Sequence, residues 1–389
     1  MKLRNQLLGV KFVICTLLLV LFSLSGISNA EDRNVRREIN IPDILEYTTL
    51  KCDFHMHTVF SDGLVWPTIR VEEAWREGLD VISITDHIEY LPFRSDVAPN
   101  HNRPYEIAKS TAEALGIVLI RGTEITRKMP PGHLNAIFLN DIDPLVKDDV
   151  MESIEAAYKQ GAFIFWNHPG WKGQQPDGIA KWYEIHTELY EKGLMHGIEV
   201  VNGIEYYPEV HQWCLDKKLT LMGNSDNHNP ISFDYDFANG RHRPITLVFA
   251  KDKSLESIKD ALVNRRTVVY WNDDLIGEQT YLSEIFYKSI NIENPVINLT
   301  ERSAAVLQIF NGSDVPFQLQ SQTDEIDISV SGEVTLQPGK VSVIAVRKSK
   351  SASPAPATRK IDLSFIVENL KIRPDKGLPI VLVVDVKFD

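Results

Sequence analysis

Two histidines near the start of the chain are separated by a single residue. His55 and His57 follow an apolar run, and Asp62 lies in the turn just after them. On a β-strand, residues two apart point to the same face, so both imidazoles would face one site. Imidazole nitrogens beside a carboxylate are typical ligands of a divalent metal ion. A lone His-X-His motif is also common at a polar strand end, so this motif alone leaves both interpretations open.

The same residue types recur downstream, and each time they stand close to an apolar run. The complete set comprises His55, His57, Asp62, His87, Glu124, His133, His168, Asp226 and His228. Six of the eleven histidines of the chain belong to it, and the other five lie mostly in helical or loop patterns. Each residue alone could have a structural role, such as capping a helix. Together they favour metal binding, and nine ligands exceed the needs of one ion, so two or three ions are predicted.

Strand and helix patterns alternate between residues 50 and 271. Helices are predicted over 71–78, 105–116, 149–161, 182–193, 208–218 and 254–266, with short apolar strands between them. This alternation predicts parallel βαβ units, and about seven units suit a closed or nearly closed barrel. The alternative is an open doubly wound sheet, which would have a glycine-rich phosphate loop after its first strand; none is present. The barrel is preferred because the ligands follow strands, where barrels of this class place their chemistry.

The remaining regions of the chain indicate an export signal and a second domain. Basic residues, an apolar run over 12–24 and Ala30 after small residues predict a signal peptide over 1–30, with a retained membrane anchor as the alternative. Residues 31–47 form an extended lead-in, and 48–274 contain the predicted barrel. After residue 274 helical patterns largely disappear, so 275–389 are predicted to form a small β-sandwich for docking or oligomer contacts.

Composition limits the classes of partner. The net charge of −12 argues against stable binding to a nucleic-acid backbone, which would require a basic face. Cys52 and Cys214 are too few and too far apart for a disulfide framework, so two buried thiols are expected, with a disulfide as the alternative. The mature chain is expected to have no membrane span and to be periplasmic or extracellular. The sequence leaves its oligomeric state open.

The ligand motifs, in this order, resemble those of the PHP (polymerase and histidinol phosphatase) superfamily over residues 48–270. The matching motifs are His55-Met56-His57 with Asp62, Thr85-Asp86-His87, Gly122-Thr123-Glu124, His133, Asn167-His168-Pro169 and Ser225-Asp226-Asn227-His228. Within the superfamily the chain looks most like exported bacterial phosphodiesterases that act on organophosphate esters. The stretches LKCDFHMHTVFSDGLVWPT, PPGHLNA and FIFWNHPGW carry this closer similarity.

The resemblance implies a distorted, TIM-like (β/α)7 barrel with three divalent metal ions per chain, manganese or zinc, with iron as a further option. Carried over by position, the first ion would bind His55, His57, Glu124 and Asp226. The second would share Glu124 and add His133 and His168. The third would bind Asp62, His87 and His228. Asp86 would support the site without binding a metal.

The implied activity is hydrolysis of a small phosphate ester, most readily a phosphodiester, by a hydroxide that bridges two metals. No catalytic residue beyond that hydroxide is implied, and Arg127 and Lys172 are the candidates for substrate binding. One alternative is a phosphomonoesterase of the histidinol phosphatase type, although the export signal argues against a cytoplasmic biosynthetic substrate. The other is a non-catalytic binding module, against which the complete ligand set argues.

Overall fold

The structure, a computed structural model, describes residues 35–300, 304–349 and 358–388. The predicted signal peptide lies outside these ranges. Within them, no helix combines the length and the apolar character that crossing a membrane requires. The described residues from Glu38 onwards form one compact unit.

The first part of this unit is a barrel of short strands surrounded by helices. Its strands are β1 (Thr48–Asp53), β2 (Val81–Ile84), β3 (Val118–Ile125), β4 (Leu134–Ile137), β5 (Phe163–Trp166), β6 (Gly197–Asn202), β7 (Glu205–Tyr206), β8 (Thr220–Asn224), β9 (Ile245–Ala250), β10 (Thr267–Trp271) and β11 (Asp274–Gly277). Its helices are α1 (Pro67–Arg76), α2 (Arg103–Leu115), α3 (Val150–Lys159), α4 (Glu184–Glu191), α5 (Pro208–Lys217), α6 (Ile231–Asp234) and α7 (Leu255–Val263).

Local sequence explains where several of these helices begin and end. Pro67 opens α1, where the fixed φ of proline suits the first helical position. The Asp149 carboxylate accepts hydrogen bonds from two backbone amides of the first turn of α3, which caps that helix. Gly116 ends α2 at φ 69°, a left-handed conformation that favours glycine. All six predicted helices are present, with ends shifted by a few residues.

The barrel is distorted because its strands are not all parallel. Strands β1, β2 and β3 are parallel, β4 is antiparallel to both neighbours, and β5, β6 and β8 are parallel again. Side-chain hydrogen bonds connect β8 to the residue that follows β1 and to β9. The Asn224 Oδ1 atom accepts a hydrogen bond of 2.9 Å from the Phe54 amide, and the Thr246 hydroxyl contacts Gly223 at 2.9 Å.

A region rich in β-structure follows the barrel. It contains α8 (Gln279–Ser289) and the strands β12 (Ile290–Ile292), β13 (Val296–Leu299), β14 (Ala305–Asn311), β15 (Phe317–Ser321), β16 (Ile328–Val330), β17 (Glu333–Leu336), β18 (Lys340–Lys348), β19 (Thr358–Arg373) and β20 (Lys376–Phe388). The sheet β12-β14-β18-β16 is separate, whereas the others join the barrel sheet through the pair β11–β19. The fold class predicted from the sequence, a distorted PHP barrel followed by a sandwich-like β domain, is confirmed.

The hydrophobic core extends through both parts of the chain. One continuous cluster of buried side chains includes Leu247 and Val268 of the barrel and Leu363 and Leu382 of the β domain. Helix α8 was not predicted from the sequence. The ring of its Phe286 packs edge to face against the ring of Phe317, with the ring centroids 5.1 Å apart. Cys52 and Cys214 are free and buried, as expected.

Candidate metal centre

The predicted ligands converge at one end of the barrel. His55 and His57 follow β1, His87 follows β2 and Glu124 lies in β3. Asp62 lies in the turn after His57, and the other four ligands lie close to β4, β5 and β8. Backbone hydrogen bonds hold the first and last ligand motifs together where the barrel closes. The amide of Asp226 donates to the carbonyl of His55 at 2.8 Å, and the amide of His57 donates to the carbonyl of Asn227 at 3.0 Å. Closure of the sheet therefore sets the spacing of ligands that are about 170 residues apart in sequence.

The first group of ligand atoms surrounds the Asp226 carboxylate. Its Oδ1 atom lies 3.1 Å from His55 Nε2 and 3.0 Å from His57 Nε2. These two imidazole nitrogens are themselves 3.1 Å apart. Both histidines are fully buried, so three potential ligand atoms meet in a space from which water is largely excluded.

Glu124 occupies the middle of the site. Its Oε1 atom lies 2.8 Å from His133 Nδ1 and 3.5 Å from His168 Nε2. Its Oε2 atom lies 2.8 Å from His87 Nδ1, 3.5 Å from His55 Nε2 and 3.4 Å from His57 Nε2. One buried carboxylate thus approaches five imidazoles, as a carboxylate that bridges several ions would.

The third group forms around Asp62. Its Oδ1 atom lies 3.2 Å from His228 Nε2, 3.5 Å from His87 Nε2 and 3.8 Å from His57 Nδ1. The rings of His57 and His228 stack with centroids 4.2 Å apart. Asp62 therefore belongs to the same cluster although it is in a turn rather than at a strand end.

All nine predicted ligands fall into groups whose ligand atoms lie within 4.8 Å of one another. The groups are His57-Asp62-His87-His228, His55-His57-Asp226, His55-Glu124-His168 and His87-Glu124-His133. The first and second groups correspond to the implied third and first ions. His133 and His168, both implied ligands of the second ion, meet Glu124 in two different groups.

The donor set fits divalent cations. Asp62 Oδ1 and Glu124 Oε2 are buried oxygens that accept no hydrogen bond of good geometry from the described residues, although imidazole nitrogens lie 3.2 Å and 2.8 Å away. An unpartnered buried carboxylate oxygen is costly unless a cation neutralises it. Imidazole nitrogens combined with carboxylate oxygens suit manganese, iron or zinc.

The pKa shifts in the centre also show that its carboxylates attract positive charge. Burial would lower the pKa of His87, but the Glu124 and Asp62 carboxylates raise it to about 10. Burial would raise the pKa of Glu124, but the surrounding imidazoles lower it well below its usual range. Burial and the neighbouring imidazoles of His228 and His87 together lower the pKa of His57 to about 3. The carboxylates therefore stay ionised, and metal binding must displace protons from some of the imidazoles.

Glu199, in the middle of β6, is a site residue that the sequence analysis missed. Its Oε1 atom lies 2.8 Å from His55 Nδ1 and accepts a hydrogen bond of 3.0 Å from Asn224. Its Oε2 atom accepts hydrogen bonds of 2.8 Å from the His168 amide and from Asn202. The signal in the sequence was a single carboxylate inside the apolar run Gly-Ile-Glu-Val-Val, because such a group must be paired when it is buried.

Asp86 is hydrogen-bonded to the loop that carries Asp62. Its carboxylate accepts hydrogen bonds from the Thr58 amide at 2.7 Å, the Thr58 hydroxyl at 2.6 Å and the Ser61 hydroxyl at 2.6 Å. Asp86 belongs to none of the four ligand groups. These contacts suit the supporting role predicted for it.

The two cations predicted to bind substrate are located elsewhere. The Arg127 guanidinium pairs with Glu89 and donates a hydrogen bond of 2.8 Å to the carbonyl of Lys147. Lys172 is exposed. Neither residue lines a cleft beside the ligand cluster, whereas Lys128 does. The roles of Arg127 and Lys172 in substrate binding stay predictions.

Known proteins are similar to both parts of this chain. Residues 290–383 match a family model described as an Ig-like domain. A solved two-domain protein of Bacteroides vulgatus, described as containing a predicted PHP-like metal-dependent phosphoesterase, is 48% identical and superposes with a TM-score of 0.84 over 90% of this chain and 99% of its own. A putative metal-dependent phosphoesterase of Bifidobacterium adolescentis is 18% identical with a TM-score of 0.36, over 46% of this chain and 87% of its own. An uncharacterized protein of Methanocaldococcus jannaschii is 25% identical over 192 residues, which are 46% of this chain and 83% of that protein.

Proposed function

Because the chain belongs to the PHP superfamily of metal-dependent phosphoesterases, we propose that it hydrolyses phosphodiesters at a centre of three divalent metal ions. The observation that carries this proposal is the position of Glu124. Its buried carboxylate approaches five imidazoles, and its Oε2 atom accepts no hydrogen bond of good geometry from the described residues although three imidazole nitrogens lie within 3.5 Å of it. A bridging carboxylate of this kind is what a cluster of adjacent ions requires.

Space around the cluster favours a diester over a monoester. Two clefts of about 620 and 540 Å³ open beside the ligands. Both are lined by Asp62, His87, His133 and Trp171, so they meet at the ligand cluster. A phosphorus atom held there could direct one ester group into each cleft, whereas a monoester would use only one.

The residues of this chain bind and orient the reacting groups. Divalent ions bound to the nine ligands would supply an activated water molecule and would offset charge on the phosphoryl oxygens. Glu199 fixes the ring of His55 so that its Nε2 atom faces the cluster, and the same carboxylate holds the backbone of His168. The strand ends keep the ligands rigid, so little reorganisation is needed when a substrate binds.

The test compares a diester with a monoester. The mature chain is loaded with manganese, and hydrolysis of bis(p-nitrophenyl) phosphate and of p-nitrophenyl phosphate is followed. We expect a higher kcat/KM for the diester. A preference for the monoester would contradict the proposal and favour the phosphatase alternative, and a metal-loaded protein that turns over neither ester would contradict both. Metal analysis of the same sample should give three ions per chain.

Export is part of this proposal and is supported by the sequence pattern of residues 1–30. Expression of the full chain in a Gram-negative host, followed by fractionation and N-terminal sequencing, tests it. The processed chain should leave the cytoplasm and begin at residue 31.

A further inference from the structure

The two clefts beside the ligand cluster differ in charge. We call the larger one the acidic cleft; beyond the ligand cluster its lining includes Ile204, Glu205, Phe233, Asp234 and Tyr235. Its lining among the described residues includes two carboxylates that are not predicted metal ligands and neither lysine nor arginine. A cleft with this charge would repel an anionic ester group.

Neither of these two carboxylates is neutralised by a basic side chain. Glu205 accepts a hydrogen bond of 2.7 Å from the Tyr207 hydroxyl, and Asp234 accepts hydrogen bonds from the uncharged side chains of Asn227 and, at 3.0 Å, of Asn229. In the part of the chain that the structure describes, Glu205 and Asp234 form no ion pair. Their negative charge is therefore available to a ligand.

Large apolar side chains are exposed at the same cleft. Phe233 and Ile204 are each 79% exposed, and Trp171 is 45% exposed. Aromatic rings beside carboxylates recognise cations, because the negative face of the ring and the carboxylate both attract positive charge. The acidic cleft thus combines the two features that bind an alkylammonium group.

The other cleft, which we call the lysine cleft, has a different lining. It includes Lys128, Tyr90 and Gln174, and its only carboxylate among the described residues is Asp62 of the ligand cluster. Gln174 lies at the junction, since its Nε2 atom is 3.1 Å from His133 Nε2. This cleft suits a polar ester group that is neutral or anionic.

We propose that the substrate is an unsymmetrical phosphodiester with an alkylammonium ester group in the acidic cleft and a polar group in the lysine cleft. The proposal rests on the phosphodiesterase activity proposed above. Glu205 and Asp234 would offset the repulsion between the ammonium group and the nearby metal ions. The rings of Trp171 and Phe233 would contact its alkyl substituents.

The experiment uses two esters that differ by one charge. p-Nitrophenyl phosphorylcholine, called the cationic ester here for its quaternary ammonium group, is a zwitterion at neutral pH. p-Nitrophenyl 3,3-dimethylbutyl phosphate, called the neutral ester for its uncharged alkyl group, is an isosteric monoanion with the same leaving group. With the manganese-loaded mature chain, we expect kcat/KM to be about tenfold higher for the cationic ester. An equal value, or a higher value for the neutral ester, would overturn the proposal.

A binding measurement separates this proposal from the proposed activity. Phosphorylcholine and 3,3-dimethylbutyl phosphate are titrated into the manganese-loaded protein, and the ratio of their dissociation constants is compared. Tighter binding of phosphorylcholine, by about tenfold, supports the acidic cleft even if neither ester is hydrolysed, in which case only the activity fails. Equal affinities contradict the cleft assignment whatever the turnover.

A matched pair of variants tests whether Glu205 causes the preference for the cationic ester. Glu205→Gln keeps an acceptor for the Tyr207 hydroxyl but removes the charge, so it should reduce the preference for the cationic ester to about threefold or less. Glu333→Gln removes an exposed carboxylate of the β domain and should leave the preference at its original value. If both variants keep the original preference, Glu205 does not select the ammonium group.

Discussion

The Nδ1 atom of His55 lies 2.8 Å from the Oε1 atom of Glu199. Both side chains are fully buried, and the opposite nitrogen of the imidazole faces Asp226 and His57. A carboxylate in this position fixes the tautomer of a metal-binding histidine and makes the other nitrogen a better ligand. Glu199 therefore acts on the centre through His55 and through the backbone of His168.

Glu199→Gln should weaken metal binding while the fold is retained. The amide keeps the shape of the side chain but removes the charge that favours a proton on His55 Nδ1. We expect a loss of about 10- to 100-fold in metal affinity. Titration of the metal-free protein with manganese measures it. Glu191→Gln, on the exposed surface of α4, is the matched control and should bind metal like the wild type. Unchanged affinity in Glu199→Gln would show that this carboxylate only packs beside His55.

Glu124→Gln should remove bound metal and turnover together. The amide nitrogen cannot act as a ligand, so Glu124 could no longer bridge the groups around His133 and His87. We expect at least one ion fewer per chain and a loss of activity of about a thousandfold. Metal analysis and diester hydrolysis on the same sample provide the two readouts. Substantial activity in this variant would disprove the bridging role.

Metal removal should lower the thermal stability of the protein. Without ions, the buried carboxylates of Asp62 and Glu124 are balanced only by protons on neighbouring imidazoles such as His87, and a ligand that binds only the folded state raises its stability by mass action. Manganese at a hundred times its dissociation constant should raise Tm by about 5 °C over the chelated protein. Glu124→Gln should show a smaller rise. An equal rise in that variant would mean that the ions bind elsewhere.

Two buried histidines outside the metal centre should make the protein less stable in acid. Burial lowers the pKa of His186 to about 4 and that of His211 to about 4. As the pH falls, these histidines are therefore protonated in the unfolded state at a higher pH than in the folded state. The stability that the protein has above pH 6.5 is lost progressively as the pH falls towards 4. Each histidine should lower the free energy of unfolding by about 2 kcal/mol at pH 5 relative to pH 7.

The variant His186→Gln tests the contribution of that residue. Glutamine can replace both hydrogen bonds of the imidazole, to the carbonyl of Pro131 and from the amide of Tyr183, but it does not titrate. Urea unfolding at pH 7 and pH 5, with a chelator present, should show a smaller loss of unfolding free energy for the variant. The same pH dependence in variant and wild type would rule out protonation of His186 as a cause.

The sequence was a good guide to the ligand cluster. Each ligand motif stands beside an apolar strand, and closure of the barrel brings all nine residues together. Glu199 was missed because one carboxylate in a strand does not reveal its partners. His55 is 144 residues away in the chain, and only the paired strands bring the two together.

The direction of individual side chains could not be predicted from the sequence. Arg127 and Lys128 are adjacent in sequence, yet Arg127 pairs with Glu89 and Lys128 lines the lysine cleft. Helix α8 was missed although its buried residues Leu282, Ile285, Phe286 and Ser289 follow the one-sided spacing of an amphipathic helix.

Strand β11 pairs with β10 on one side and with β19 on the other, and it begins at the predicted boundary between barrel and β domain. A chain cut after residue 274 would leave β10 with an unpaired edge and expose part of a shared core, and both promote aggregation. The two parts should therefore melt in one cooperative transition. They would behave as a single rigid body, so any surface that holds the β domain would also fix the direction in which the mouth of the barrel faces.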